Sequence, residues 1–402
     1  MKPIRLLLLI AAVSCGANSA CAQTWMQTSA PNKNWSCIAS SADGTKLIAS
    51  GLDWNCYVST NSGSTWTSIA EPQTNSLIGS WYYMASSADG TKLLGSTVSS
   101  VIFVSTNSGI TWLSNNVPTV TYWGPVAMSA DGTKMVAAAG GNGHPPGFIY
   151  VSTNWGVTWN ATSAPTNVWA GLASSADGTK LTAVAGASSY RSFIYTSTNS
   201  GMKWKQASAP SNFWNSAASS ADGTRLVAVS YKETNAVPGH LYTSADSGAT
   251  WVSNSLAACF FQTVSLSADG STIAAGGEAS SHPSIYVSTN FGAAWVSSSL
   301  SGASVSSVAS SADGGKLFAV SLDGKIYTSQ FTPSPHLNLT PSSTNFTLGW
   351  TVPSTNFVLQ QSADLLAWAE VTNPPVLNLT NLQNQVTLPP SGSRSFFRLK
   401  TP

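Results

Sequence analysis

Five acidic side chains in the first 331 residues lie in segments of irregular composition where they could do chemistry: Asp53, Glu71, Glu233, Glu278 and Asp323. Two carboxylates flanking a glycosidic bond are enough for hydrolysis, one as acid and the other as base or nucleophile. Glu233 and Glu278 occupy equivalent loops of adjacent repeats and form the best such pair. Asp53 and Asp323 form a second pair if the repeats close into a ring. The competing reading is that isolated loop carboxylates are solvated, and it takes precedence here. His144, His240 and His282 sit in different repeats with no two at ligand spacing, so no metal is expected. No nucleophile elbow, phosphate loop or dinucleotide fingerprint appears, so no cofactor is expected either.

The elements that must position these groups are repeats. Ser-Ala-Asp-Gly recurs with aspartates at Asp43, Asp89, Asp131, Asp177, Asp222, Asp269 and Asp313, at spacings of 42 to 47 residues. That period marks a β-propeller or a related array. Each unit reads as a four-stranded meander, in the first copy Trp35 to Ala39, Lys46 to Ser50, Tyr57 to Thr60 and Thr65 to Ile69. Asp-Gly and Asn-x-Gly turns separate the strands. The seven aspartates are one per repeat and are read as structural turn residues, which cannot converge on a calcium ion.

Eight residues before each aspartate stand Trp35, Trp81, Trp123, Trp169, Trp214, Phe261 and Val305. Two readings compete. Large aromatics commonly fill the interface between sheets. Alternatively the six aromatics ring the channel mouth as a platform on which a sugar or apolar group stacks, with Arg191 at the rim.

A second phrase, Ser-Thr-Asn-x-Gly-x-Thr-Trp, runs from Ser59 to Trp66, with further copies ending at Trp112, Trp159, Trp204, Trp251 and Trp295. It resembles the Asp-box of the sialidase-like repeat families, with Asn61, Asn107, Asn154, Asn199, Asp246 and Asn290 at the Asp position. The resemblance implies a hairpin between the third and fourth strands of a blade, with a structural rather than a binding role. It also invites a test for sialidase activity, which in that family needs three arginines around the substrate carboxylate. The propeller region offers Arg191 and Arg225 alone, and Arg225 follows an aspartate turn on the opposite face, so that activity is not expected. The chain is similar too to assembly-factor propellers of photosynthetic membranes, but lacks the arginine-rich patch that likeness implies.

The seventh repeat has no Gly-x-Thr-Trp after Lys325 to Ser329, while Thr24-Trp25 has no phrase before it. The N-terminal strand is therefore expected to complete the seventh blade, leaving no free edge. After Thr332-Pro333-Ser334-Pro335 the period is lost, and strand-like runs from 337 to 402 resemble a small fibronectin type III-like β-sandwich. The expected fold is all-β: a signal peptide over 1–22, a seven-bladed propeller over 23–331, a linker over 332–336 and the sandwich over 337–402.

Lys2 and Arg5 precede the apolar run Leu6 to Val13, and Ala20-Cys21-Ala22 offers a cleavage site, so export is expected. A lipid anchor at Cys15 is the minor alternative. Without Lys2 and Arg5 the 17 basic residues fall to 15, equal to the 15 acidic ones, which removes the footprint of nucleic-acid binding. Cys37, Cys56 and Cys259 are an odd set, and Cys37 and Cys56 fall two strand spacings apart, so a bridge between them needs a bent loop. Together these readings point to a secreted or cell-surface monomer that binds a neutral glycan or a protein partner without turnover. A non-sialidase glycoside hydrolase is the alternative.

Overall fold

The computed structural model describes residues 24–400, apart from 53–54, 70–79, 98–100, 115–121, 142–143, 187–190, 235–236, 255, 257–258, 279–283, 299, 301–302, 332–336, 343, 352–356 and 390–394 and the side chains of 233–234. The expected signal segment with Cys15, Asp53, Glu71, His282, the linker and the side chain of Glu233 therefore lie outside it.

Among the described residues every regular element is a β-strand. Trp35–Ser40, Leu47–Gly51, Cys56–Ser59 and Thr67–Ile69 pair in chain order as an antiparallel sheet. Five further sheets repeat that order, beginning at Trp81, Trp123, Trp169, Phe213 and Phe261. A last one joins Val305–Ser310, Lys316–Ser321 and Ile326–Gln330. Its outer strand is Met26–Gln27, with Met26 opposite Thr328 and Gln27 opposite Tyr327.

The turns follow from local chemistry. Asp43 accepts hydrogen bonds from the Ser41 hydroxyl at 2.6 Å and the Thr45 N–H at 2.9 Å, while Gly44 supplies the positive φ of 67°. At the second phrase the Asn61 oxygen accepts from the Ser59 hydroxyl at 3.0 Å and the Thr65 N–H at 2.8 Å. Trp66 then donates its indole N–H to the Gly63 carbonyl at 3.1 Å, laying the ring over the turn.

Neighbouring sheets are tied at the aspartate end of their first strands. The N–H of Ala42 donates to the carbonyl of Ala88, Ala88 to Ala130, Ala130 to Ala176, Ala176 to Ala221, Ala221 to Ala268, Ala268 to Ala312 and Ala312 back to Ala42, each at 2.7–2.8 Å. This cycle returns to its start. Outside it, cations clasp adjacent turns: Lys46 reaches the Asp89 carbonyl at 2.8 Å, Arg225 that of Asp269 at 3.3 Å and Lys316 that of Asp43 at 3.1 Å.

The first-strand aromatics take the packing role. Trp35, Trp81, Trp123, Trp169, Trp214 and Phe261 are at most 2% exposed, and Val305 is fully buried. Each lies against the aromatic of its own third strand, as Trp35 does against Tyr57 with ring centroids 5.3 Å apart at 79°. The stacking platform expected of them is not assembled, because their faces are spent on one another. Cys37, Cys56 and Cys259 are free thiols, and Cys37 and Cys56 pair from opposite sides with Ser50, which keeps them two strands apart.

Beyond the propeller, Asn338–Pro341, Phe346–Thr351, Gln383–Leu388 and Val376–Asn378 form one antiparallel sheet, and Ala369–Glu370, Val358–Ser362 and Phe396–Lys400 another. Leu348, Trp350 and Val386 of the first share a buried core with Leu359 and Phe397 of the second.

Candidate ligand-binding mouth

The end of each sheet opposite the alanine cycle is built around an irregularity. Trp35 pairs with Gly51 and Cys37 with Ser50, so Ser36 is left out of the ladder. The same shift follows Trp81, Trp123, Trp169, Trp214, Phe261 and Val305. A bulge frees one residue from pairing and re-aims its side chain. The residues so placed after each first-strand anchor are Ser36, Tyr82, Gly124, Ala170, Asn215, Gln262 and Ser306.

These bulges lie on the innermost edge, since they bond across to the neighbouring blade. Ser36 donates its hydroxyl to the Trp81 carbonyl at 2.7 Å, and Asn215 donates its amide to the carbonyls of Phe261 at 3.3 Å and Gln262 at 3.0 Å. The loops between second and third strands leave from the same end and are pinned there. Leu52 donates its N–H to the Asn34 carbonyl at 2.7 Å, Gly140 to that of Tyr122 at 3.1 Å and Glu278 to that of Phe260 at 3.2 Å.

On the fifth and sixth blades this end carries a polar string. The Asn215 amide donates to the Gln262 side-chain oxygen at 3.1 Å, the Gln262 amide lies 3.5 Å from Glu278 Oε1, and the Tyr231 hydroxyl donates to the same oxygen at 2.6 Å. Glu278 raises the Tyr231 phenol to about 12, first through that hydrogen bond and then, after burial, through its charge. On the second and third blades the mouth is aromatic. Tyr122 stacks on His144 with centroids 3.7 Å apart at 8°, Tyr82 is 39% exposed, and burial followed by the proximity of Tyr82 pushes the Tyr122 phenol up to about 12. Between these halves, the exposed Arg191 guanidinium and the Lys232 ammonium lie 5.7 and 5.0 Å from the Phe213 ring.

The acids expected to do chemistry are distributed unevenly. Glu278 is at the mouth and hydrogen-bonded, while its partner Glu233 has its side chain outside the described residues. Asp323 is a turn residue: it accepts from the Lys325 N–H at 3.2 Å and the Tyr327 hydroxyl at 2.9 Å, with the Lys325 ammonium at 3.7 Å. That corrects its candidacy as an acid, because both carboxylate oxygens are engaged in closing its own turn. The 2.6 Å contact of the Tyr231 hydroxyl with Glu278 is a geometry shared by a hydrogen-bonding pair in a binding site and by a tyrosine with its general base. Among the described residues no three His, Cys, Asp or Glu side chains converge in a way that could hold a metal.

Asn215, Gln262, Tyr82, Tyr122 and Tyr231 were not legible as site residues. The first three stand one position after a repeated aromatic, in a column that varies from blade to blade while its neighbour is Trp in five blades, Phe261 in the sixth and Val305 in the seventh. That contrast was the available signal.

No family model matches the chain, and no curated protein matches it. Solved structures do. The chain is similar to a structure described as YCF48 bound to D1 peptide, with a TM-score of 0.57 and 16% identity over 79% of this chain and 100% of that one. It is also similar to the hydrazine synthase of Kuenenia stuttgartiensis, with a TM-score of 0.59 and 14% identity over 77% of this chain and 98% of that one. At such identity the likeness carries the fold alone, and it places the repeated sheets in the β-propeller class.

Proposed function

We propose that this chain is an exported, seven-bladed propeller of the sialidase-like Asp-box type, with a fibronectin type III-like sandwich at its C-terminal end, that binds a neutral glycan without turning it over. The observation that carries the reading is that the same end of the sheets holds the string Asn215–Gln262–Glu278–Tyr231 on the fifth and sixth blades and, on the second and third, a half-exposed Tyr82 and an exposed His144 stacked on Tyr122. Side-chain amides, a carboxylate and phenols both donate to and accept from hydroxyl groups, and aromatic faces cover the apolar side of a sugar ring. Arg191 and Lys232 add a cationic rim that a charged substituent would reach first.

A protein partner is the second reading. It is favoured by the fold likeness to a propeller solved with a peptide bound. A glycan array and a pull-down, each run with wild type and Gln262→Ala, separate the two. Loss of a glycan signal in the variant supports the first reading. A captured polypeptide with a blank array supports the second. A screen of chromogenic glycosides closes the question of turnover, since activity abolished by Glu278→Gln would overturn the non-catalytic reading.

A further inference from the structure

The alanine cycle poses a packing problem. Its seven methyl groups gather at one end of the axial channel, where the first strands stop, and an open ring would leave them facing water. Instead Ala130, Ala176 and Ala221 are buried, and the side chain packed on them, with Ala88 and Ala268 alongside, is Leu382 of the C-terminal unit. Leu382 also lines a cavity of about 170 Å³, together with the inner-strand serines Ser40, Ser86, Ser174, Ser219 and Ser310 and the alanine ring.

The conformation of Leu382 gives a second, independent reason to read this contact as selected. Its φ is +54°, a left-handed backbone that glycine and asparagine favour and leucine adopts at a cost. Its turn is pre-shaped: Asn378 accepts from the Thr380 N–H at 2.9 Å and hydroxyl at 2.6 Å, and Asn381 accepts from the Gln383 N–H at 3.2 Å. A strained bulky residue at the tip of a firm turn persists where its side chain does something the relaxed residue could not. Here it enters the ring.

We propose that the C-terminal unit is a plug: the turn between Val376–Asn378 and Gln383–Leu388 seats Leu382 in the alanine ring, seals that end of the channel and leaves the bulge mouth as its open end. The unit that the loss of the period after the proline linker sets apart in sequence is on this view a docked part of the propeller. The claim concerns the interface alone and holds whatever the mouth binds.

Leu382→Gly tests it in the full chain, because glycine keeps the turn at positive φ while deleting the plug. Removing the partly buried leucine is expected to weaken docking about tenfold or more. Amide exchange should then accelerate in the segments around Ala88, Ala130 and Ala176, and the radius of gyration from solution scattering should rise as the unit swings free. The unfolding midpoint of the C-terminal unit itself should hold or increase. Leu382→Met, which keeps an apolar tip, should retain wild-type exchange and scattering. Wild-type scattering that fits two freely tumbling units would overturn the proposal, as would Leu382→Gly with unchanged exchange at the alanine segments.

Discussion

The two ends of the first strands are built by opposite rules. At one end the same residue, alanine, stands in every repeat from Ala42 to Ala312, and its backbone closes a cycle of hydrogen bonds. At the other, Ser36, Tyr82, Gly124, Ala170, Asn215, Gln262 and Ser306 differ from blade to blade. The backbone cycle itself needs only an N–H and a C=O from each blade, and a methyl is the side chain that fits where seven copies line one cavity. A bulged residue has no partner opposite it in the ladder, so its type is freer to vary than that of a paired one. Repetition therefore marks assembly, and variation inside a repeat marks the end that assembly leaves free to differ.

The sharpest break of that comparison is a pair of neighbours. Trp214 is fully buried in the repeated column, and Asn215 beside it belongs to the varying one. Trp214→Ala should cost about 3–5 kcal/mol of stability by opening a cavity between blades. Asn215→Ala should cost only about 1 kcal/mol for its lost hydrogen bonds. Chemical denaturation of both variants checks this, and equal costs would erase the distinction between the columns.

Acid tests the aspartate turns next. Asp43 is drawn upward by burial, but the Ser41 hydroxyl, the Thr45 N–H and hydroxyl and then the Lys316 charge outweigh that and hold it below the usual carboxylate range. Asp89, Asp131, Asp177 and Asp222 are lowered by the same kind of contacts. A group whose folded value is depressed stabilises fully above its unfolded pKa and loses that contribution as pH falls through the folded one. The thermal midpoint should therefore decline below about pH 4, where ordinary aspartate begins to take up protons. A decline already complete at pH 6 would point to groups other than the turns.

Much of this was readable beforehand, and the limit has a physical cause. The period, the Asp-Gly turns and the unpaired Thr24-Trp25 announced the sheets and the pairing of Met26–Gln27 with the last of them, because turn residues and strand count act locally. The proposed mouth lies one position along from the aromatics expected to form it, which are buried. Whether Trp35 or Ser36 meets the channel depends on a bulge, which is a property of two strands in register and leaves no mark on one. Asp323 was misjudged for a related reason, since its carboxylate is engaged by Tyr327 from the strand its own turn introduces.

Gln262→Ala sharpens the functional half. It removes the middle of the polar string yet leaves the neighbouring Phe261 core in place, so stability should shift by about 1 kcal/mol or less. Glycan or peptide retention, read by affinity electrophoresis and pull-down, should fall about tenfold, as expected for one desolvated hydrogen-bonding side chain. Unchanged retention would move the site away from the bulges.

The smallest expected effect is the most diagnostic. Tyr231→Phe deletes one hydroxyl, leaves the ring against Phe260 at 5.3 Å and keeps the Gln262 amide near Glu278. In a binding mouth the phenol is a protonated donor that orients the carboxylate, so its loss should change affinity by only a few-fold, as one neutral hydrogen bond does. In a hydrolase built on the tyrosine–glutamate pair the same change would remove the nucleophile, and turnover would fall by orders of magnitude. Calorimetric titration of a bound oligosaccharide and a glycoside assay, run on the same preparation of this variant, distinguish the two.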